Sequence, residues 1–130
     1  MAQKVDAIVT APINKKSLRM AGLEYEGHTE ILAEFTHTKN FAMLLASKHM
    51  HVIHVSTHCS FSEACRRIKK DRVYEVIKLA DPGMRELGYG NPRIVVAGLN
   101  PHASEDGVFV QEEEMEIIPA IMQAKSEGYN

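Results

Sequence analysis

Histidines follow two of the apolar segments of this sequence, close to the point where each segment ends. His58 follows the segment 51–56, and His102 follows the segment 93–97. Ligands of α/β proteins bind at the carboxyl ends of strands, so two imidazoles delivered there can converge on one divalent cation. Two imidazoles do not complete a metal site, and a single histidine is more often a surface or hydrogen-bonded structural residue. Both interpretations stay open for this pair.

Two further groups of polar residues can bind an anion. Asn14 and Lys15 follow the apolar segment 5–10, where the lysine ammonium can meet a phosphate or carboxylate; the alternative is a solvated lysine at a helix start. His28 and Thr29 open a predicted helix, whose backbone N–H groups and threonine hydroxyl can grip an anion; the alternative is a simple N-cap. Neither of the standard glycine-rich phosphate loops is present.

The remaining histidines and the cysteines receive a structural interpretation. The histidines concerned are His37, His49, His51 and His54. Cys59 and Cys65 do not form a C-x-x-C motif, and nothing at the N-terminus resembles a secretory signal. Free thiols are therefore expected.

Length and composition exclude several classes of protein. The chain has 130 residues, of which 45% are hydrophobic and 25% charged, and its formal net charge is −2. Such a chain can bury a core without disulfides or structural metal. It lacks the basic surface that nucleic-acid binding requires and any apolar run of about 18 residues that could cross a membrane. We expect a cytoplasmic protein that binds neither nucleic acid nor membrane.

Apolar periodicity predicts alternating strands and helices, which indicates an α/β fold in a single segment without an internal boundary. Strands are predicted over Val5–Thr10, Phe41–Ala46, His51–Ser56 and Arg93–Ala97, the middle two as a hairpin. Helices are predicted over Lys15–Ala21, His28–Thr36, Glu63–Lys69, Arg72–Ala80 and Glu112–Ser126. A loop is expected over 98–107.

Details of the helices can also be predicted. Asp71 is expected to cap the fourth helix, and Pro82 to interrupt it, leaving Met84–Leu87 as a turn or kinked continuation. That helix should bury Val73, Val76, Ile77 and Ala80. The last helix should place Met115, Ile118, Ile121, Met122 and Ala124 on one stripe.

Four sequence motifs together resemble one enzyme family. They are T-A-P-I-N-K (10–15), G-H-T-E (27–30), V-S-T-H (55–58) and A-G-L-N-P-H-A-S-E (97–105). Their histidines are spaced by thirty and then forty-four residues. In order and spacing these motifs are similar to those of the 4-hydroxythreonine-4-phosphate dehydrogenase family, which belongs to pyridoxine biosynthesis.

This resemblance implies oxidation of a phosphorylated hydroxy acid followed by decarboxylation of the β-keto acid formed. It implies NAD or NADP and a divalent metal, which can be zinc, magnesium, cobalt or manganese. By the same resemblance His58 and His102 are metal ligands, and His28 and Thr29 contact the substrate. Lys15 and Asn14 are further substrate-binding candidates. The implied fold is that of the isocitrate and isopropylmalate dehydrogenases, a mixed sheet flanked by helices, in a homodimer.

Family members are longer than this chain, which is therefore expected to be the central portion of a two-domain dehydrogenase. The third metal ligand and most of the nicotinamide site would then lie outside it. The alternative is a non-catalytic module that serves oligomerisation or weak metal binding. The segment 53–65 is more similar to the branch acting on threonate or erythronate 4-phosphate than to the vitamin B6 branch.

Overall fold

The computed structural model of the protein describes residues 7–103 and 112–130. The chain divides into two compact units, Met1–Phe41 and Ala42–Asn130. The sequence carries no signal at this division, because no stretch rich in glycine, serine or proline separates the two units.

The described residues form helices and one small sheet, so the chain is of the α/β class. In chain order they are α1 (Lys15–Met20), α2 (His28–Phe35), β1 (Leu44–Ala46), β2 (His51–Ile53), α3 (Phe61–Arg67), α4 (Lys70–Glu86), a π-helical turn (Glu113–Ile117) and α5 (Ile118–Ser126). Among the described residues, no helix is both long and apolar enough to cross a membrane.

The first unit contains α1 and α2, whose predicted positions are confirmed to within a residue. Asn14 is the N-cap of α1, and its side-chain oxygen accepts a hydrogen bond from the Ser17 amide at 3.1 Å. The strand predicted over Val5–Thr10 is wrong for residues 7–10, which are not part of a strand. Residues 5 and 6 lie outside the described range. A β-branched sequence forms a strand only when a neighbour pairs with it.

The predicted hairpin is confirmed, with strands shorter than expected. β1 and β2 are antiparallel, and Leu44 pairs with Ile53. The connection is tight because the Ser47 hydroxyl donates to the Met50 carbonyl at 2.8 Å and accepts from the Met50 amide at 3.0 Å. This short turn therefore fixes the register of β1 against β2.

α4 is one continuous helix through Pro82, so the predicted interruption there is wrong. Proline removes one helical N–H donor, but Pro82 is exposed, and water can solvate the carbonyl that loses its partner. The predicted cap Asp71 is also wrong, since it lies inside the first turn after the N-cap Lys69. The Lys70 amide donates instead to a Glu116 carboxylate oxygen at 2.7 Å.

The hydrophobic core lies in the second unit, between α4 and the last helix. Its buried members are Val73, Ile77, Ile117, Ala120 and Ala124. The face predicted for α4 is confirmed, because Val73, Val76, Ile77 and Ala80 are all buried. This core supports the loops that follow β2 and the segment 93–97.

The apolar stripe predicted for the last helix is mostly wrong. Met115 and Met122 are each 66% exposed and Ile118 is 46% exposed, whereas Ala120 is fully buried. The helix has two apolar faces, and the one with alanines packs against α4. Small side chains allow two helices to approach closely, so the contact favours the smaller face.

The strand predicted over Arg93–Ala97 is not formed, although the segment keeps part of a strand's character. Ile94 and Val96 pack against the core while Val95 between them is 80% exposed. The Ile94 amide donates to the Asn130 carbonyl at 2.8 Å. The described residues contain no strand paired with this segment, so the sheet has only two strands.

Candidate metal and substrate site

His28 connects two of the sequence motifs within the first unit. It is the first residue of α2, is half-buried, and its Nε2 lies 3.1 Å from the carbonyl oxygen of Ala11. Because a carbonyl can only accept, this hydrogen bond places the ring proton on Nε2. The Nδ1 atom of a neutral His28 is then a hydrogen-bond acceptor, which can accept from a substrate hydroxyl.

The start of α2 also contains Thr29 and an acidic side chain. Gly27 is the N-cap and forms no side-chain capping bond, so Thr29 lies in the first turn and does not cap the helix. One carboxylate oxygen of Glu30 is buried without a hydrogen-bond partner among the described residues. A negative group therefore already lies in the first turn of this helix, and an anionic ligand there needs a compensating cation.

Asn14 and Lys15 have different roles in the structure. The Asn14 oxygen is committed to capping α1, which leaves its amide N–H₂ for any ligand. Lys15 is the first residue of α1 and is exposed. Exposure fits both the attraction of a phosphate and the alternative of a solvated lysine, so substrate binding by Lys15 stays a prediction.

His58 lies in the loop between β2 and α3 with an unusual backbone. It is exposed, and its φ of 53° is in the left-handed region, which residues other than glycine adopt rarely. The loop is fixed on both sides, because Ser60 caps α3 and the Val55 carbonyl accepts from Arg72 Nε at 3.1 Å. His37 has a φ of 54°, so the backbone conformation of His58 does not by itself mark a functional site.

His102 lies in a tight turn of the loop that follows the segment 93–97. Its amide donates to the Asn100 side-chain oxygen at 2.9 Å, and the Ala103 amide donates to the Asn100 carbonyl at 3.1 Å. Ala103 has a φ of 44°, so the turn again contains a left-handed residue beside the histidine. His102 itself is exposed.

The two histidine loops are attached to the same core. Val55, three residues before His58, and Leu99, three residues before His102, both pack against the core cluster of α4 and α5. Within residues 7–103 and 112–130, no three histidine, cysteine or acidic side chains are grouped as metal ligands. The assignment of His58 and His102 to one metal stays a prediction.

The expected free thiols are confirmed for Cys59 and Cys65.

Two acidic residues of the π-helical turn have roles that the sequence did not indicate. Glu113 is 4% exposed and accepts from the Leu99 amide at 2.9 Å. Glu116 accepts from Lys69 Nζ at 2.8 Å, and this ammonium, followed by the Lys70 amide, lowers the pKa of the Glu116 carboxyl. The three consecutive glutamates at 112–114 predict only a favourable helix start, because no local pattern reveals partners that are distant in sequence.

The first two motifs lie in the first unit and the other two begin in the second, where the buried Glu113 carboxylate holds the loop of the fourth motif at Leu99. The family model of the pyridoxal phosphate biosynthetic protein PdxA matches residues 1–130 of this chain. The chain belongs to the PdxA family. This confirms the family resemblance inferred from the motifs.

Several PdxA relatives are similar over nearly the whole chain. The D-threonate 4-phosphate dehydrogenase of Salmonella typhimurium is 47% identical over 95% of this chain and 38% of the relative. The 4-hydroxythreonine-4-phosphate dehydrogenase of Beijerinckia indica is 48% identical over 95% of this chain and 37% of the relative. The crystal structure of the Klebsiella pneumoniae 4-hydroxythreonine-4-phosphate dehydrogenase superposes with a TM-score of 0.82 and 43% identity, over 91% of this chain and 36% of that one. The chain thus spans less than two fifths of the length of these PdxA relatives.

Proposed function

We propose that this chain is part of a dehydrogenase that oxidises a four-carbon phosphorylated hydroxy acid with NAD or NADP and then decarboxylates the product. The observation that supports this most strongly is the 44 to 52% identity to relatives named as D-threonate 4-phosphate dehydrogenases. D-Threonate 4-phosphate is the first substrate to test, and 4-phosphohydroxy-L-threonine is the second, since a relative named for the latter activity is 48% identical. A bound nicotinamide would accept the hydride from the carbon that carries the hydroxyl, and solvent would take the hydroxyl proton; after loss of carbon dioxide, the remaining enolate would be protonated by solvent.

The residues of the first unit suit recognition of such a substrate. The His28 Nδ1 atom accepts a hydrogen bond, and the Thr29 hydroxyl donates or accepts one. The Lys15 ammonium attracts the phosphate or carboxylate, and the Asn14 amide donates to an oxygen. A cationic group must also offset the Glu30 carboxylate in the first turn of α2.

His58 and His102 fit a divalent cation in the chemistry of their donor atoms. Both are exposed imidazoles on loops attached to one core, and paired imidazoles suit zinc, cobalt and manganese. A divalent ion held there lowers the pKa of a substrate hydroxyl and stabilises negative charge on its oxygen. We propose that the remaining metal ligands come from outside the described residues. We also propose that the whole protein is a homodimer whose subunits have the mixed sheet of the isocitrate dehydrogenases.

Metal binding by single-histidine variants tests this proposal. His58→Ala and His102→Ala should each weaken binding of zinc or manganese by at least about 10-fold, measured by calorimetry, while the far-UV circular dichroism is unchanged. His37→Ala is the matched control. His37 is also an exposed histidine, and its φ of 54° matches that of His58.

Activity distinguishes this proposal from the alternative of a non-catalytic module. We expect no NAD reduction by the 130-residue chain alone with either phosphorylated substrate, because its metal site is incomplete. The full-length protein should reduce NAD with D-threonate 4-phosphate, and both histidine variants should abolish this. Inactivity of the full-length protein would favour the non-catalytic module. Equal metal affinity of the unaltered chain and the His58→Ala, His102→Ala and His37→Ala variants would favour it as well.

A further inference from the structure

Glu113 is the most deeply buried charged residue among those that the structure describes. Only 4% of it is exposed, and it starts the π-helical turn that precedes α5. One carboxylate oxygen accepts from the Leu99 amide at 2.9 Å, while the other has no hydrogen-bond partner among the described residues. Burying a carboxylate with a single partner is costly, so a core position of this kind calls for a functional reason.

The partner of Glu113 lies at the beginning of the loop that contains His102. Between Leu99 and Ala103 the chain forms a tight turn, because Asn100 accepts from the amides of both His102 and Ala103. A side chain at Gly98 would come within 3.1 Å of the Ala103 Cβ, which shows how closely the loop folds on itself. Because the residues from Leu99 to Ala103 are joined by these hydrogen bonds, the interaction that fixes the Leu99 amide also determines the position of His102.

We propose that Glu113 is a positioning residue for His102, and that it acts by holding the Leu99 amide. This inference rests on the proposed function, in which His102 binds a divalent cation. Residues that orient metal ligands through hydrogen bonds influence metal affinity even when they do not touch the ion. π-helical turns also occur often at functional sites, and Glu113 begins such a turn.

Two substitutions of similar volume separate the hydrogen bond from packing. Glu113→Gln keeps an oxygen that can accept from Leu99, whereas Glu113→Met fills the same space without a strong acceptor. Glu114→Ala is the matched control, because Glu114 is the adjacent glutamate and is exposed. The first readout is hydrogen exchange of the Leu99 amide, followed by NMR. The second is the broadening of the His102 ring resonances by Mn²⁺.

We expect Glu113→Met to accelerate Leu99 exchange and to raise the Mn²⁺ concentration for half-broadening of His102 by about 10-fold. Glu113→Gln and Glu114→Ala should match the unaltered chain in both readouts, and rescue by glutamine excludes a role of volume alone. Unchanged Leu99 exchange in Glu113→Met would overturn the inference. Where Mn²⁺ broadens His102 in the unaltered chain, equal Mn²⁺ sensitivity of His102 in the methionine and glutamine variants would also overturn it.

Failure of the proposed function gives a different result. If Mn²⁺ broadens His102 no more than the control His37, then His102 is not a metal ligand. Positioning is then decided by the chemical shifts of the His102 backbone. A shift in Glu113→Met that Glu113→Gln restores would support it, and identical shifts in both would overturn it.

Discussion

The two faces of the last helix offer a sharp test of the fold, because two adjacent isoleucines lie in opposite environments. Ile117 is 7% exposed and belongs to the core cluster, whereas Ile118 is 46% exposed. The same change, isoleucine to alanine, can be made at both positions. If the packing described above is correct, Ile117→Ala should be far more destabilising than Ile118→Ala.

The magnitude follows from the atoms removed. Alanine lacks three carbons of isoleucine, each worth about 0.8 kcal/mol when buried, which gives about 2.4 kcal/mol for Ile117. The cavity left between α4 and α5 raises the loss of unfolding free energy to about 3 kcal/mol. At Ile118 the substitution loses about half of that transfer energy, because the side chain is 46% exposed. No closed cavity forms there, and the higher helix propensity of alanine offsets about 0.4 kcal/mol of the loss. The expected loss there is about 0.5 to 1 kcal/mol.

Urea unfolding followed by far-UV circular dichroism measures both values, since the chain has no tryptophan for fluorescence. The difference of about 2 kcal/mol corresponds to a separation of roughly 6 to 8 °C in Tm for a domain of this size. Equal losses, or a larger loss for Ile118→Ala, would refute the packing. That result would support the stripe of larger residues that the sequence predicts.

Two further predictions concern a helix cap and an ion pair. Asn14→Ala should destabilise α1 by about 1 kcal/mol and accelerate hydrogen exchange of the Ser17 amide, whose capping bond is lost; unchanged exchange would contradict the capping role. Lys69 and the Lys70 amide hold the pKa of Glu116 below its ordinary value of 4.5, so their stabilising effect is complete above that pH and is lost as pH falls through the lowered value. Glu116→Gln should therefore flatten the acid side of a plot of urea midpoint against pH, and a plot unchanged by the substitution would show that the pair contributes nothing.

The sequence predicts local structure at several positions where a side chain bonds to nearby backbone, although the cap predicted at Asp71 on the same basis is wrong. Asn14 and Ser60 each cap the helix that follows them, and the hairpin between β1 and β2 closes through Ser47. These signals depend on neighbours in the chain and can be recognised without a fold. The family could also be recognised, because four motifs in fixed order exclude coincidence.

Features that depend on distant partners were predicted poorly. Ile118 was expected in the core, although Ile117 and the small Ala120 face α4 instead. The sequence predicts an interruption of the helix at Pro82, but packing of its neighbours in α4 outweighs one missing hydrogen bond. Glu113 carries no sequence signal of burial, because its partner Leu99 is fourteen residues away. The sequence shows which residues are apolar, whereas the tertiary contacts determine which of these residues are buried.

The π-helical turn at Glu113–Ile117 has a consequence for the insertions and deletions that the family can accept. In an α-helix each residue contributes about 100° of rotation, so losing one residue turns everything on one side away from its contacts. A π-helical turn holds one residue more than an α-turn and absorbs it locally. Loss of the exposed Glu114 would convert the turn to α-helix while Glu113 and Ile117 keep their inward faces. Homologues one residue shorter at this point can therefore preserve both the loop attachment and the helix packing.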